Sequence, residues 1–483
     1  MASETRRTPH QVTFAVLAAS TSAYALLQSL VTPVLPTIQA DLHTTQNTVT
    51  WVLTAYLLSA SIFTPIMGRI GDMIGKERVF VVTLAALAAG SLLAALATNV
   101  QVMIIARVIQ GIGGGVLPLA FGIIRDEFPR EKVGAAVGAI ASLLAVGSGL
   151  GIVLAGPIVN ALNYHWLFWL PMIITVITAI AAFILVPESP VRTPGRISWA
   201  PAVLLSAWLV ALLVALSQAP VWGWGSGRVI GLFAAAVVLA AGWVEVERRA
   251  ATPLIDMSMM RLPAVWTTNL VALLFGVGMY AMFAFLPEFV QTPKSTGYGF
   301  GASVTQSGLI LLPLTVTMFL AGLRATALTA RIGGKAVVVV GSLVGTAAMA
   351  MLAFAHTHTW ELYVSMAIMG VGFGLAFAAM STLIVSAVPA EQTGVASGMN
   401  ANIRTIGGSI GAALMASVVT ASPAADGLPR ESGYTNGFAM LAGALLIGAV
   451  AAILIPVSRR TSRVEYSSAG EPQAEPAAVT AAE

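Results

Sequence analysis

The sequence contains no cysteine and very little charge. Disulfides, thiolate metal sites, iron–sulfur clusters and cysteine nucleophiles are therefore excluded together. Charged residues are 9% of 483 positions; ordinary soluble domains carry about a quarter, so a water-soluble globule is excluded as well. Aromatic residues are also sparse at 7%, which leaves Ala, Val, Leu, Ile and Met to supply most of the 57% apolar content. Lysine is scarce: of 24 cations only Lys76, Lys132, Lys294 and Lys335 are not arginine. The net charge of +4 alone would allow a nucleic-acid partner, but the placement of the cations points to a lipid bilayer instead.

A membrane helix needs about 20 mostly apolar residues. Fourteen stretches qualify, at 12–36, 49–68, 79–98, 102–124, 134–160, 166–187, 199–217, 229–246, 265–289, 304–325, 336–355, 360–387, 393–421 and 436–457. With the N-terminus placed inside, the Lys and Arg of alternate loops divide nineteen inside to three outside (Arg228, Lys294 and Arg430), with Arg107 and Arg404 left within spans. This is the positive-inside asymmetry, and a wrong span count would swap sides partway along and erase it. Both termini are thus expected in the cytoplasm. Arg6-Arg7, an apolar run and Ala23-Tyr24-Ala25 also outline a cleavable leader; the run continues to Leu35, however, and its removal would leave thirteen spans. After Arg463, four Glu among Ala, Ser and Pro read as a disordered tail.

The chain repeats itself. Gly134, Gly138, Gly147 and Gly151 in the fifth span recur as Gly394, Gly398, Gly407 and Gly411 in the thirteenth, at a constant offset of 260, and Pro129 and Glu131 recur as Pro389 and Glu391. A weaker echo sets Arg69-Ile70-Gly71 to Lys76 against Arg331-Ile332-Gly333 to Lys335. Six spans plus two extra fill that offset. The expected fold is an all-α integral membrane protein of 14 transmembrane helices, two pseudo-symmetric six-helix bundles with two helices inserted between them. The boundaries are a cytoplasmic segment 1–11, a first bundle 12–190, inserted helices with linkers 191–262, a second bundle 263–457 and a tail 458–483. Parallel repeats of this kind place substrate near the midplane between the halves.

Three motifs carry the function. The segment Gly68-Arg69-Ile70-Gly71-Asp72-Met73-Ile74-Gly75-Lys76-Glu77-Arg78 combines glycines suited to a tight turn with an Asp and several cations; a solvated positive-inside loop is the plainer reading. It resembles, over its full length, the signature loop of the major facilitator superfamily. That resemblance makes Gly68, Arg69, Asp72, Gly75, Lys76 and Arg78 an inner gate that locks the outward-facing state. Arg107, followed by Gln110 and Gly111 on roughly one helical face, is a charge within a span, hence a functional candidate or a structural arginine held by backbone carbonyls. The segment is similar to the fourth-helix motif of drug:proton antiporters, whose Arg is implicated in proton coupling. Gly147, Gly151, Gly156 and Pro157 resemble the antiporter motif of the exporter branch, although Val159 and Asn160 replace the Gly pair usual after Gly-Pro. Packing alone would also use such glycines.

Trp51 to Leu58, Pro253-Leu254-Ile255-Asp256 and Gly398-Met399-Asn400-Ala401-Asn402-Ile403-Arg404 all look like the fourteen-spanner drug:proton antiporter branch, and the resemblance covers nearly the whole chain but the tail. What it implies is export of amphipathic or cationic small molecules by alternating access, in exchange for protons. The sequence departs from that branch in lacking any carboxylate near the middle of a span. Arginine cannot titrate, so the candidate proton sites besides Arg107 are Glu288 and Asp41. Substrate-cavity candidates, placed by helix depth and resemblance, are Tyr24, Gln28, Trp51, Tyr56, Gln110, Asn269, Tyr280, Asn400 and Arg404; for Arg404, lining the cavity and bracing its helix stand as equal readings. His165, His356 and His358 fall at outer ends and read as interfacial residues. No catalytic constellation, metal set or cofactor motif stands out; Gly111–Gly115 lies inside a span and is no phosphate cradle. The expected partners are small-molecule substrate, protons and the bilayer, without nucleic acid, for a monomer. Alternatives left open are a translocase for lipids or a lipid-linked metabolite, a self-resistance exporter for one natural product, and a non-transporting membrane receptor or assembly subunit.

Overall fold

A computed structural model describes residues 9–188, 199–250, 253, 255, 257–388, 393–421 and 428–456. The linker at 191–198, the Pro389–Glu391 echo and the tail at 458–483 lie outside the described residues. The chain is built from helices: α1 (His10–Leu30), α2 (Leu35–Asp41), α3 (Gln46–Ile74), α4 (Lys76–Ala95), α5 (Val100–Gly111), α6 (Val116–Glu127), α7 (Arg130–Ala161), α8 (Trp166–Leu185), α9 (Trp199–Trp222), α10 (Gly227–Arg249), α11 (Met257–Met260), α12 (Pro263–Gln291), α13 (Val304–Ile332), α14 (Gly334–Phe354), α15 (Thr359–Ala387), α16 (Thr393–Val419) and α17 (Glu431–Ile453). Among the described residues, twelve helical segments are long and apolar enough to cross a membrane. The remaining long helices, α7 and α16, have 32 and 27 residues.

Most helices outrun their apolar stretches, because polar residues at the ends extend a helix into water at little cost. Three features depart from the expected spans, and the first is a 3₁₀ turn, Thr32–Val34, that breaks the first apolar stretch between α1 and α2. The fourth apolar stretch is split between α5 and α6 by a 3₁₀ turn, Ile112–Gly115, where a Cβ on Gly113, Gly114 or Gly115 would run into Leu87, Thr64 or Met67. These glycines bring neighbouring helices into close contact. The Gly68–Arg78 segment, expected as a loop, is helical up to Ile74 and turns at Gly75 alone. Gly75 has φ 128°, a conformation that costs glycine little and side-chain-bearing residues much, and its N–H closes α3 on the Gly71 carbonyl at 3.0 Å.

The internal repeat is visible in the packing. In the first half α1 packs on α7 and α8, α3 on α5, and α4 on α5 and α8. In the second, α12 packs on α16 and α17, α13 on α15, and α14 on α15 and α17. The repeated glycines do the same work in both halves. Gly147 and Gly151 meet α1 at Ala25 and Ser29, while Gly407 and Gly411 meet α12 at the Leu273 and Val277 carbonyls. The second turn glycine, Gly333 at φ 85°, stands between α13 and α14 as Gly75 stands between α3 and α4. Geometry therefore pairs Gly333 with Gly75, not with Gly71 as the sequence echo has it. The halves meet along two seams, α3 with α16 and α7 with α13, which exchange under the same repeat.

Helices α9 and α10 pack on each other, and α9 makes the main contact with the bundles, through α3 and α16. Leu205, Leu209, Leu213 and Leu216 recur every three or four residues and seat this helix on Leu58, Ile406 and Ala413. An open apolar groove of ≈ 680 Å³ lies between α9, Leu232 of α10, and Ile62, Phe63 and Ile66 of α3. Only 11% of the apolar window of α10 is buried, with Val237 70% and Val238 69% exposed, as befits a helix facing hydrocarbon.

One consequence is testable here. A Cβ at Gly407 would collide with backbone atoms of Leu273, whereas nothing lies within 4 Å of one at Gly443. Gly407→Val is expected to destabilise the fold by about 1–3 kcal/mol or more and Gly443→Ala to leave it unchanged, read as thermal unfolding midpoints in detergent.

Candidate functional site

The middle of the bundle holds two arginines, each laid on an aromatic ring. Arg107 of α5 is fully buried; its Nε donates to the Val52 carbonyl of α3 at 2.9 Å, its Nη1 to Gln110 Oε1 at 2.6 Å, and its guanidinium carbon sits 4.4 Å from the Tyr56 ring centre. Gln110 passes the network on to Ser91 of α4 at 3.0 Å. Tyr24 of α1 lies beside Tyr56, ring centres 6.5 Å apart. In the second half, the Arg404 guanidinium of α16 sits 4.6 Å from the Phe377 ring centre and borders Tyr280. Gln28 of α1 spans the gap between the halves by donating to the Tyr280 hydroxyl at 3.1 Å, and Asn402 donates across the α3–α16 seam to the Ser61 carbonyl at 3.0 Å.

Tyr24, Gln28, Tyr56, Tyr280 and Arg404 thus gather at mid-depth on the facing sides of the two halves. The other cavity candidates do not join them. Trp51 turns outward and donates to Ser217 Oγ of α9 at 2.8 Å. Gln110 is fully buried within its own half. Asn269 and Asn400 are buried and bonded to each other at 2.9 Å, fastening α12 to α16.

At one end of the bundle the halves are joined. Glu288 of α12 is buried, and its carboxylate accepts from Gln46 of α3 and, at 2.5 Å, from the Tyr434 hydroxyl of α17. Gln291 donates to the Pro33 carbonyl at 2.7 Å, and Asn160 of α7 to Thr305 Oγ1 of α13 at 3.0 Å. Gly156 lies against Thr305 so closely that a Cβ would strike its backbone, so this glycine of the α7 motif permits contact between halves; Pro157 follows within the helix. Asp41 is at the same end but exposed, accepting from Tyr164 at 2.9 Å within the first half. Burial, then the Asp41 carboxylate, hold the Tyr164 phenol above its ordinary value, so it remains the donor. His356, expected as a simple interfacial residue, is buried and fixed by the Leu352 carbonyl at 2.9 Å and Glu431 at 3.1 Å.

The Gly75 end lies opposite. Lys76 is buried and pairs with Asp126 of α6 at 2.6 Å and with Asp72 at 3.3 Å, while Arg78 pairs with Glu188 at 3.0 Å. All of these pairs stay inside the first half. Arg69 keeps Nε and Nη2 buried without a partner among the described residues, and Gly68 packs on Pro118 of α6. Sequence reasoning missed Asp126, Gln46, Tyr434 and Phe377. Asp126 alone left a signal, as an acid amid the cations of the α6–α7 turn. Asp126→Asn leaves a buried Lys76 with a single, more distant carboxylate, and breaking such a pair costs roughly 3–5 kcal/mol. It is expected to lower the unfolding midpoint more than Asp72→Asn, whose carboxylate is half exposed.

A repeated bundle of apolar helices, polar at mid-depth between its halves and latched at one end, defines a multi-pass membrane transporter. The chain belongs to the Major Facilitator Superfamily, whose sequence profile matches residues 17–412 and again 268–480. It is 29% identical over 428 residues to the tetracenomycin C resistance and export protein of Streptomyces glaucescens, covering 88% of this chain and 78% of the relative. It is equally 29% identical over 424 residues to the multidrug transporter protein MdtP of Bacillus subtilis (strain 168), covering 84% and 77%. Among solved structures, an auto-inhibited POT family peptide transporter shares the fold, with TM-score 0.66, 17% identity, and 95% and 98% of the two chains covered.

Proposed function

We propose that the protein is a fourteen-span secondary exporter of the drug:proton antiporter branch, moving amphipathic small molecules out of a bacterial cell across its inner membrane in exchange for protons. In this reading α9 and α10 are the inserted pair, 12–190 and 263–457 are the moving halves, and a single chain suffices. The Gly75 end faces the cytoplasm with both termini, in keeping with the nineteen-to-three division of loop cations. The observation that carries the proposal is the one-ended latch: Gln46–Glu288, Gln291–Pro33 and Asn160–Thr305 tie the halves at the outer end, while the ion pairs of the inner end close within one half. That is the inward-open member of an alternating-access pair. Outward opening breaks these bonds and brings the Asp72–Arg78 turn against the second half as the inner gate. Glu288, a titratable group on the latch itself, takes the proton-coupling role in preference to the exposed Asp41.

Similarity to an antibiotic resistance and export protein and to a multidrug transporter supports export over uptake, and a pump for one secreted natural product is the narrow form of the same reading. The test is accumulation of a panel of antibiotics and dyes in energised cells expressing the protein, with and without a protonophore. Lower accumulation that the protonophore restores is the expected result. Unchanged accumulation of every compound, from well-expressed protein, overturns it.

A further inference from the structure

We infer that the facing sides of the two halves at mid-depth select acidic aromatic molecules, with Arg404 as the group that meets their negative charge. This rests on the export reading above and gives the substrate the opposite sign to the cations that the sequence resemblance implies.

Arg404 is charged at every physiological pH, and a charge placed within a span needs a compensating partner. Every carboxylate among the described residues stands within about a turn of a helix end, so no side-chain anion shares the level of Arg404. What it has instead is the face of Phe377, at 4.6 Å, and the hydroxyl of Tyr280. A ring face attracts a guanidinium without using its N–H groups, and the Tyr280 hydroxyl engages only part of the fork; the N–H groups that remain can meet a carboxylate or phenolate. Arg404 is half-buried as a residue, as are Phe377, Gln28 and Tyr280 around it, so this part of the bundle is not sealed against a ligand. A residue serving only to brace α16 would be sealed, as Arg107 is at 0% exposed. Arg107 adds a second buried positive charge in the first half, with Nη2 unpartnered among the described residues. The field of both arginines attracts an anion and repels a cation.

The aromatic half of the preference comes from the wall behind Arg404. Phe377 packs, with tilted rings, against Phe373 at 5.8 Å and Phe275 at 5.6 Å, and Tyr280 lies beside Arg404 with a hydroxyl that already accepts from Gln28. Flat ring systems bury well on such a surface, and their acidic hydroxyl or carboxyl group meets the fork.

The test uses the full chain, purified into nanodiscs without any gradient, and two xanthene dyes of similar shape: fluorescein, an anion, and tetramethylrhodamine methyl ester, a cation. Fluorescence anisotropy is expected to show fluorescein binding at least about tenfold more tightly. Arg404→Gln should weaken fluorescein about tenfold and leave the cation unchanged or tighter, while Arg404→Lys, which keeps the charge but loses the fork, should fall between. The wild-type comparison stands even if a variant fails to fold, which unfolding midpoints reveal. A wild type that prefers the cation, or a folded Arg404→Gln that holds fluorescein normally, overturns the inference. Fluorescein that binds yet is never exported would sink the export reading alone; a cation that is exported while fluorescein goes unbound would sink this inference alone.

Discussion

Arg107→Gln is expected to reduce the initial rate of export by about a hundredfold or more, the largest effect of any single change in the first half. The guanidinium holds three helices at once: Nε on the Val52 carbonyl of α3, Nη1 on Gln110 of its own α5, and through Gln110 a bond to Ser91 of α4. Glutamine is too short to reach both first partners and cannot lie on the Tyr56 ring. Each buried polar group left without a partner costs about 1–3 kcal/mol, and the lost ring contact about 2 kcal/mol at a desolvated site. The α3–α5 contact then loosens on a helix that also meets α16. Arg107→Lys separates charge from geometry, because an ammonium restores the charge but not the planar fork. It is expected to recover less than about a tenth of the rate. Efflux rates at matched expression, together with unfolding midpoints, check both. A lysine variant that pumps normally would show that charge alone matters at this position.

The apolar stretches anticipated every long helix, because hydrocarbon imposes a length and composition that one strand of text records faithfully. The glycine offset of 260 likewise anticipated the packing of α7 on α1 and α16 on α12, since a residue with no side chain is chosen for what it touches. Turn geometry was less legible. Gly71 and Gly75 look alike in the sequence, and only the positive φ of Gly75 and Gly333 tells which one ends the helix. Least legible was the site itself. Depth alone put Trp51, Gln110 and Asn400 among the cavity candidates, yet the direction in which a side chain leaves its helix depends on neighbours that are far away in the chain. Trp51 answers to Ser217, Asn400 to Asn269, and Glu288 to Gln46 and Tyr434. For the same reason no local pattern marked Gln46 or Tyr434, and Phe377 looked like any apolar residue of its span.

Glu288→Gln should uncouple the transporter without unlatching it, and comparison with Gln46→Ala makes the distinction. In Glu288→Gln the amide oxygen still accepts from Gln46, and the amide NH2 takes the place of the oxygen that faces Tyr434, donating to that hydroxyl instead of accepting from it, so both contacts persist with one of them reversed. What the amide cannot do is bind and release a proton. Net, protonophore-sensitive efflux is expected to fall about tenfold or more and to lose its dependence on external pH, as when any intramembrane relay group is removed. Exchange of labelled for unlabelled substrate, which needs only the opening and closing of the halves, should continue. Gln46→Ala acts on the other term. It deletes the cross-half donor and leaves the carboxylate titratable with Tyr434 beside it. Losing one such bond weakens closure of the outer end by about 1 kcal/mol, which shifts the balance between the two open states roughly fivefold. Exchange is then expected to change while proton dependence survives. If both variants lose exchange equally, Glu288 is part of the latch only and the titrating group lies elsewhere. If Glu288→Gln alone loses proton dependence, one carboxylate both joins the halves and senses the proton, and protonation of the latch is the event that lets the outer end open.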